Sequence, residues 1–163
     1  MNYKIITDTR EKKNDHILET FDKNNIPYTK EKLNIGDYMI QSDDGVIPPV
    51  AIERKANLAE LLSNVTDKKS HDGHNNRFIR EVIAAEALGL KLIILIEDAA
   101  YYENLLNGNY RNNIKPNAAT GLVLSLLAKY SHLHIVGIDK KYSASYINRI
   151  LRLHLQEELK KAV

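Results

Sequence analysis

The stretch Gly36–Lys55, GDYMIQSDDGVIPPVAIERK, decides the fold. It reads as a β-hairpin. Tyr38, Met39 and Ile40 form one arm, and Val50, Ala51 and Ile52 form the other. Between them Ser42, Asp43, Asp44, Gly45, Pro48 and Pro49 are turn and loop formers. Asp37 precedes the first arm and Glu53 closes the second. An antiparallel hairpin sets the start of one arm beside the end of the other, so the two carboxylates can meet at its open end. Side chains at i and i+2 share a strand face, so Lys55 points with Glu53. Two carboxylates and a lysine at a strand end are what a metal-dependent phosphodiesterase requires. Carboxylate oxygens hold a hard divalent cation, which polarises a phosphate and acidifies bound water. The lysine orients the attacking water or neutralises charge developing on the phosphoryl oxygens. The same residues also read as an ordinary Gly-Asp turn and a charged strand exit, although the apolar run Val50–Ile52 before them fits a buried strand.

Around the hairpin the chain alternates strands and helices. Tyr3–Thr7 is a β-branched first strand that delivers Asp8, Thr9, Arg10, Glu11 and Lys12 at its carboxyl end, the edge where sites form in open α/β sheets. Asp8 can join Asp37 and Glu53 on a metal while Arg10 holds a phosphate, or Asp8 and Thr9 simply open the next helix. Asn14 or Asp15 caps a helix running to about Asn25, with Ile17, Leu18 and Phe21 inside. A short strand lies within Ile26–Leu33. After the hairpin, Asn57 caps a helix with Leu58, Leu61, Leu62 and Val65 on its apolar side. The polar segment 66–76 reads as an exposed basic loop, with Lys68, Lys69 and Arg77 suited to a phosphate backbone and His71 and His74 facing solvent.

Arg77–Leu88 is a helix with Phe78, Ile79, Val82, Ile83 and Leu88 at core spacing; Arg77 and Arg80 lie off that side and extend the basic surface. Leu90–Glu97 is a buried strand, with Glu97 and Asp98 at its end, read as exposed acids where it leaves the sheet rather than as a second metal site. Ala99–Lys115 is irregular or frayed helix in which Tyr101, Tyr102, Tyr110 and Arg111 stack on bases or pack on a neighbour. Pro116–Tyr130 is a helix with Leu122, Leu126 and Leu127 inside. A last strand at His132–Asp139 and a helix from Ser143 or Ser145 to about Lys161 follow. This order predicts an α/β three-layer sandwich, a central mixed sheet flanked by helices.

The chain has 163 residues, enough to bury a core as one domain, and is 44% hydrophobic and 27% charged. With no cysteine, a disulfide framework, a zinc–thiolate site and a cysteine nucleophile are excluded. The net charge of +2 means that any nucleic-acid surface comes from local clustering. The longest apolar run is far too short to span a bilayer, and the chain opens directly on a strand, so a cytoplasmic protein without a membrane anchor is expected. Neither GxGxxG nor GxxxxGK occurs, which argues against a phosphate-loop enzyme.

IITDTREK, GDYMI, VAIERK, RFIRE and LIILIED together resemble the nuclease domain of XPF-type structure-specific endonucleases, in the restriction-endonuclease-like superfamily. The resemblance runs nearly the whole chain, and its later part is similar to compact stand-alone bacterial and phage members. It implies one nuclease domain over 1–163 with no helix-hairpin-helix module. It further implies that Asp8, Asp37 and Glu53 hold Mg²⁺ or Mn²⁺, that Lys55 is catalytic, and that Arg10, Glu11 and Arg54 belong to the site. Arg77 would match the arginine that follows a basic loop. The implied activity is cleavage of branched, flapped or forked DNA, in DNA repair or recombination. The implied partner besides DNA is a second copy, paired through the C-terminal helix by the apolar face Ile147–Leu155, which core packing also explains. Besides the missing helix-hairpin-helix module, the chain departs from the family's pattern after the lysine: where an acid usually follows by four residues it carries Ala59, then Glu60. That leaves two expectations, a working nuclease or a weakened pseudonuclease that binds DNA junctions or a protein partner.

Overall fold

In a computed structural model, which describes residues 2–66 and 76–161, six strands and six helices follow one another in an α/β order. The strands are β1 Tyr3–Asp8, β2 Tyr28–Glu31, β3 Tyr38–Ser42, β4 Val50–Lys55, β5 Lys91–Ile96 and β6 Leu133–Gly137. The helices are α1 Asp15–Lys23, α2 Leu58–Thr66, α3 Arg77–Ala87, α4 Tyr101–Asn107, α5 Pro116–Lys129 and α6 Ser143–Lys161. The hydrogen-bonded strand order is β2-β1-β3-β4-β5-β6. Parallel β1/β2 and β5/β6 pairs and antiparallel β1/β3 and β3/β4 pairs make the sheet mixed, as predicted. The chain divides into two compact units, Met1–Glu53 with Lys140–Val163, and Arg54–Asp139.

The first unit holds β1, α1, β2, β3, the start of β4 and α6. Its strands alternate. Tyr38, Ile40 and Ser42 of β3 are buried while Met39 and Gln41 are half-buried, the period-2 pattern of a sheet with one face packed. Helices α1 and α6 pack together and α6 lies against β3. Ile17, Leu18 and Phe21 of α1 are buried, the set expected from their spacing. On α6, Ile147, Leu151 and Leu155 are wholly buried. Four-residue spacing stacks them on one face, and that face belongs to the core of this unit. It is therefore not a surface through which a second copy could pair.

The second unit holds the end of β4, α2, α3, β5, α4, α5 and β6. Leu92–Ile96 is buried throughout, which suits a central parallel strand covered on both faces. Asn57 caps α2 as expected: its side chain accepts from the Glu60 N–H at 3.0 Å. Within the stretch expected to be irregular or frayed helix, Tyr101–Asn107 forms a helix opened by Asp98, whose carboxylate accepts from the Ala100 N–H and the Asn104 side chain. Tyr101 packs on the Cα of Gly137, where any side chain would collide with its ring and with the Asp98 carbonyl.

Two helices turn differently from expectation. On α3 the core is Phe78, Val82 and Ala85, and Ile83 and Leu88 are exposed. On α5 the buried residues are Ala119 and Val123, while Leu122 is exposed and Leu126 and Leu127 are half-buried. Helix α5 packs on α4 and β6, and its small residues face inward, where backbones approach closely. An apolar stripe on every side gives periodicity little to choose between.

Candidate active site

Asp37 is positioned by its main chain. Its N–H donates to the Ile52 carbonyl at 2.7 Å, and its carbonyl accepts from the Asp8 N–H at 2.8 Å. An ordinary strand residue directs both groups to one neighbour; Asp37 divides them between the middle of β4 and the end of β1. Gly36 immediately before it has φ +71, and a Cβ there would stand 2.9 Å from the Ala51 Cβ and 3.0 Å from the Ile52 carbonyl oxygen. Backbone conformation and close approach thus both demand glycine ahead of the acid. The half-buried Asp37 sits against the residue preceding Glu53, itself half-buried. The two arms of the hairpin meet as the sequence predicted.

Asp8 ends β1 and is not a helix cap, since α1 begins at Asp15. Its side chain is 1% exposed. One carboxylate oxygen accepts from the Arg10 main-chain N–H at 2.7 Å and from Arg10 Nε at 2.9 Å. The other accepts from Arg10 Nη2 at 2.6 Å and from the Leu33 N–H at 3.0 Å. Burial pushes this carboxyl up, but the Arg10 side chain, the two N–H groups and the arginine charge outweigh it and hold the carboxyl below its ordinary value. Asp8, expected as a third metal ligand, thus has both oxygens engaged by Arg10 and the Leu33 N–H. Arg10, expected on a phosphate, is half-exposed with its guanidinium on Asp8 and the Leu33 carbonyl. A Glu11 oxygen accepts from the Lys13 N–H at 2.8 Å.

In the second unit, Arg54 and Lys55 point to opposite faces of β4. Arg54 forms a 2.9 Å ion pair with Glu97, and the two side chains are only 4% and 2% exposed. Arg54, expected on DNA, is therefore a core residue, and Glu97 is not the exposed acid expected at a strand exit. Only the spacing of Arg54 from the next apolar strand, which ends in an acid, could have announced this pair. Lys55 is also buried, its ammonium 5.5 Å from the centre of the Phe78 ring. The ring face attracts the cation and its bulk excludes water. Arg77 and Arg80 are exposed on α3, whose N-cap Asn76 accepts from the Ile79 N–H. Lys68, Lys69, His71 and His74 lie outside the described residues. Ala59 stands in the first turn of α2, and the neighbouring Glu60 carboxylate accepts from the Ala56 N–H at 2.8 Å, a capping bond that holds it at the helix start.

Among the described residues no group of three or more His, Asp or Glu side chains is placed to hold a metal ion. The oxygen chemistry of the hairpin acids nevertheless fits Mg²⁺, which is commonly bound through one or two carboxylates together with waters and substrate phosphates.

The fold is that of XPF. The chain superposes on XPF from Aeropyrum pernix with a TM-score of 0.66 and 16% sequence identity, over 97% of this chain and 69% of that one. It likewise matches XPF from Aeropyrum pernix in complex with DNA, with a TM-score of 0.65, 16% identity, and coverage of 94% and 66%. No curated protein sequence matches the chain. The ERCC4 domain matches residues 7–150, and the chain belongs to that family.

Proposed function

We propose that this ERCC4-family domain is a divalent-metal-dependent endonuclease acting on branched, flapped or forked DNA. One observation carries the reading: Asp37 is hydrogen-bonded to Ile52 of β4, the residue before Glu53 on the strand that supplies Glu53 and Lys55 on one face. Family membership and the fold shared with a DNA-bound XPF support it. In this reading Asp37 and Glu53 hold Mg²⁺ or Mn²⁺. When bound, the cation supplies Lewis-acid polarisation of the phosphate and a more acidic water. Lys55, in its low-dielectric seat under Phe78, meets negative charge as it develops on the phosphoryl oxygens. Asp8 acts at one remove, fixing Arg10 and the end of β1 against Asp37. Arg77 and Arg80 contact neighbouring phosphates from the exposed side of α3, and Lys68 and Lys69, by charge and sequence position, are further phosphate-binding residues in this reading. A second copy remains part of the reading, paired through a face other than the buried Ile147, Leu151 and Leu155.

The test is cleavage of labelled duplex, 3′-flap, fork and single-stranded DNA in Mg²⁺, in Mn²⁺ and in EDTA. Cutting that needs a metal and falls roughly 10²–10³-fold in Lys55→Ala is expected, with a matched melting curve to show that the variant folds. Wild-type turnover by both Lys55→Ala and Asp37→Asn overturns the assignment. A second reading, a binding protein that does not cut, is favoured by Ala59 together with the capping bond that engages Glu60. Binding without cutting in the parent, and cutting gained in Ala59→Asp, selects that reading.

A further inference from the structure

The loop between α4 and α5 takes no part in the site above. It carries an unusual set of side chains: Asn107, Asn109, Tyr110, Arg111, Asn112, Asn113 and Lys115 within NGNYRNNIK. It also opens the longest acid-free stretch of the protein: from Asn104 to Ile138 there is no Asp or Glu, while Arg111, Lys115 and Lys129 are cationic. A surface pocket is lined by Tyr110, Arg111, Asn112 and Asn113. Its walls are fixed from within the loop. The Tyr110 hydroxyl donates to the Ile114 carbonyl at 2.9 Å, the Ile114 N–H donates to Asn112 Oδ1 at 3.1 Å, and the Asn112 N–H donates to the Tyr110 carbonyl at 3.0 Å. Arg111 and Asn113 are exposed, and neither side chain bonds another described residue.

We propose that this pocket takes one unpaired nucleotide of a single-stranded DNA segment. The proposal rests on the DNA reading above and extends it to a contact outside the hairpin acids. A concave pocket receives what protrudes, and an unpaired base protrudes where a stacked base does not. Carboxamides pair with base edges through both a donor and an acceptor, and a guanidinium pairs with phosphate. A phenol ring offers a flat wall to a base of any identity. A bare phosphate would leave the Asn113 carboxamide oxygen and the ring unused. Over the 35 consecutive residues from Asn104 to Ile138 the chain itself brings no carboxylate to oppose a DNA backbone.

The experiment measures binding in EDTA by anisotropy, using a fork with single-stranded arms and a blunt duplex of equal length. The full chain is compared with its Arg111→Ala/Asn113→Ala variant, which removes no internal hydrogen bond. Fork affinity is expected to fall about tenfold and its salt dependence to lose about one unit of slope, with duplex affinity unchanged. Unchanged fork affinity in the variant overturns the pocket while metal-dependent cutting by the parent leaves the nuclease standing. Equal losses on fork and duplex overturn the unpaired-nucleotide assignment. A parent that binds neither DNA overturns the nuclease reading and the pocket together.

Discussion

Asp8–Arg10 and Arg54–Glu97 are both ion pairs at strand ends, and they differ in every respect that matters. The first joins residues two apart, with the carboxylate buried and the guanidinium half in water. The second joins residues 43 apart, with both side chains almost wholly buried. The first closes across a two-residue turn, where the Asp8 carboxylate accepts from the Arg10 N–H and side chain, and the Leu33 N–H 25 residues on adds a fourth bond. The second exists only once β4 and β5 lie in register. Burial removes two charges from water at a cost of several kcal/mol each, which their attraction offsets only while both partners are present. The comparison teaches that charge at a strand end does not by itself mark a ligand site: in one place it tightens a turn, in the other it is core.

The largest expected effect breaks the dry pair. Glu97→Ala removes the carboxylate that pairs with the buried Arg54 guanidinium, and about 3–5 kcal/mol of stability is lost. For a chain of this size that lowers the midpoint by on the order of 10 °C in a calorimetric melt. The double change Arg54→Met/Glu97→Leu removes both charges and should restore most of the loss. A double variant as unstable as Glu97→Ala would show that the pair is not the cause.

Asp8→Asn comes next, at about 2 kcal/mol, because a charged acceptor of four bonds becomes a neutral one that also presents donors. The pH dependence sharpens the contrast. The folded Asp8 carboxyl lies below its ordinary value of 3.8. Its contribution is therefore complete above that value and is lost as pH falls through the lowered folded value. Denaturation midpoints measured across pH 2–5 should drop more steeply on the acid side in wild type than in Asp8→Asn. Parallel curves for the two proteins would contradict the geometry.

Arg10→Ala is the mildest, at about 1 kcal/mol, since the guanidinium is half-solvated and Asp8 keeps both its main-chain donors. Urea titration measures it. A loss as large as that of Glu97→Ala would erase the distinction between the wet and dry pairs.

Much of this was legible in the chain. The alternation of Tyr38–Ser42, the apolar run of Val50–Ile52 and the four-residue spacing of Ile147, Leu151 and Leu155 each expose a face by periodicity alone. Gly36 before Asp37 reads as an ordinary turn in the sequence, and its close approach to Ala51 and Ile52 is visible only in the fold. Helix α5 was misjudged because Leu122, Leu124, Leu126 and Leu127 surround Ala119 and Val123, so hydrophobicity does not single out one side. Arg54 was misread for a different reason: a lone strand does not say which of its charges will meet an opposite charge on the next.

Local spacing therefore determined the elements, the hairpin and the presence of Asp37, Glu53 and Lys55 on it, because backbone sterics and side-chain periodicity act within a few residues. Tertiary structure alone decided which charges are available to a ligand. Whether Arg54, Asp8 or Glu97 faces solvent, a phosphate or one another depends on strand register and burial, and desolvation, which makes that choice, is set only when distant segments pack.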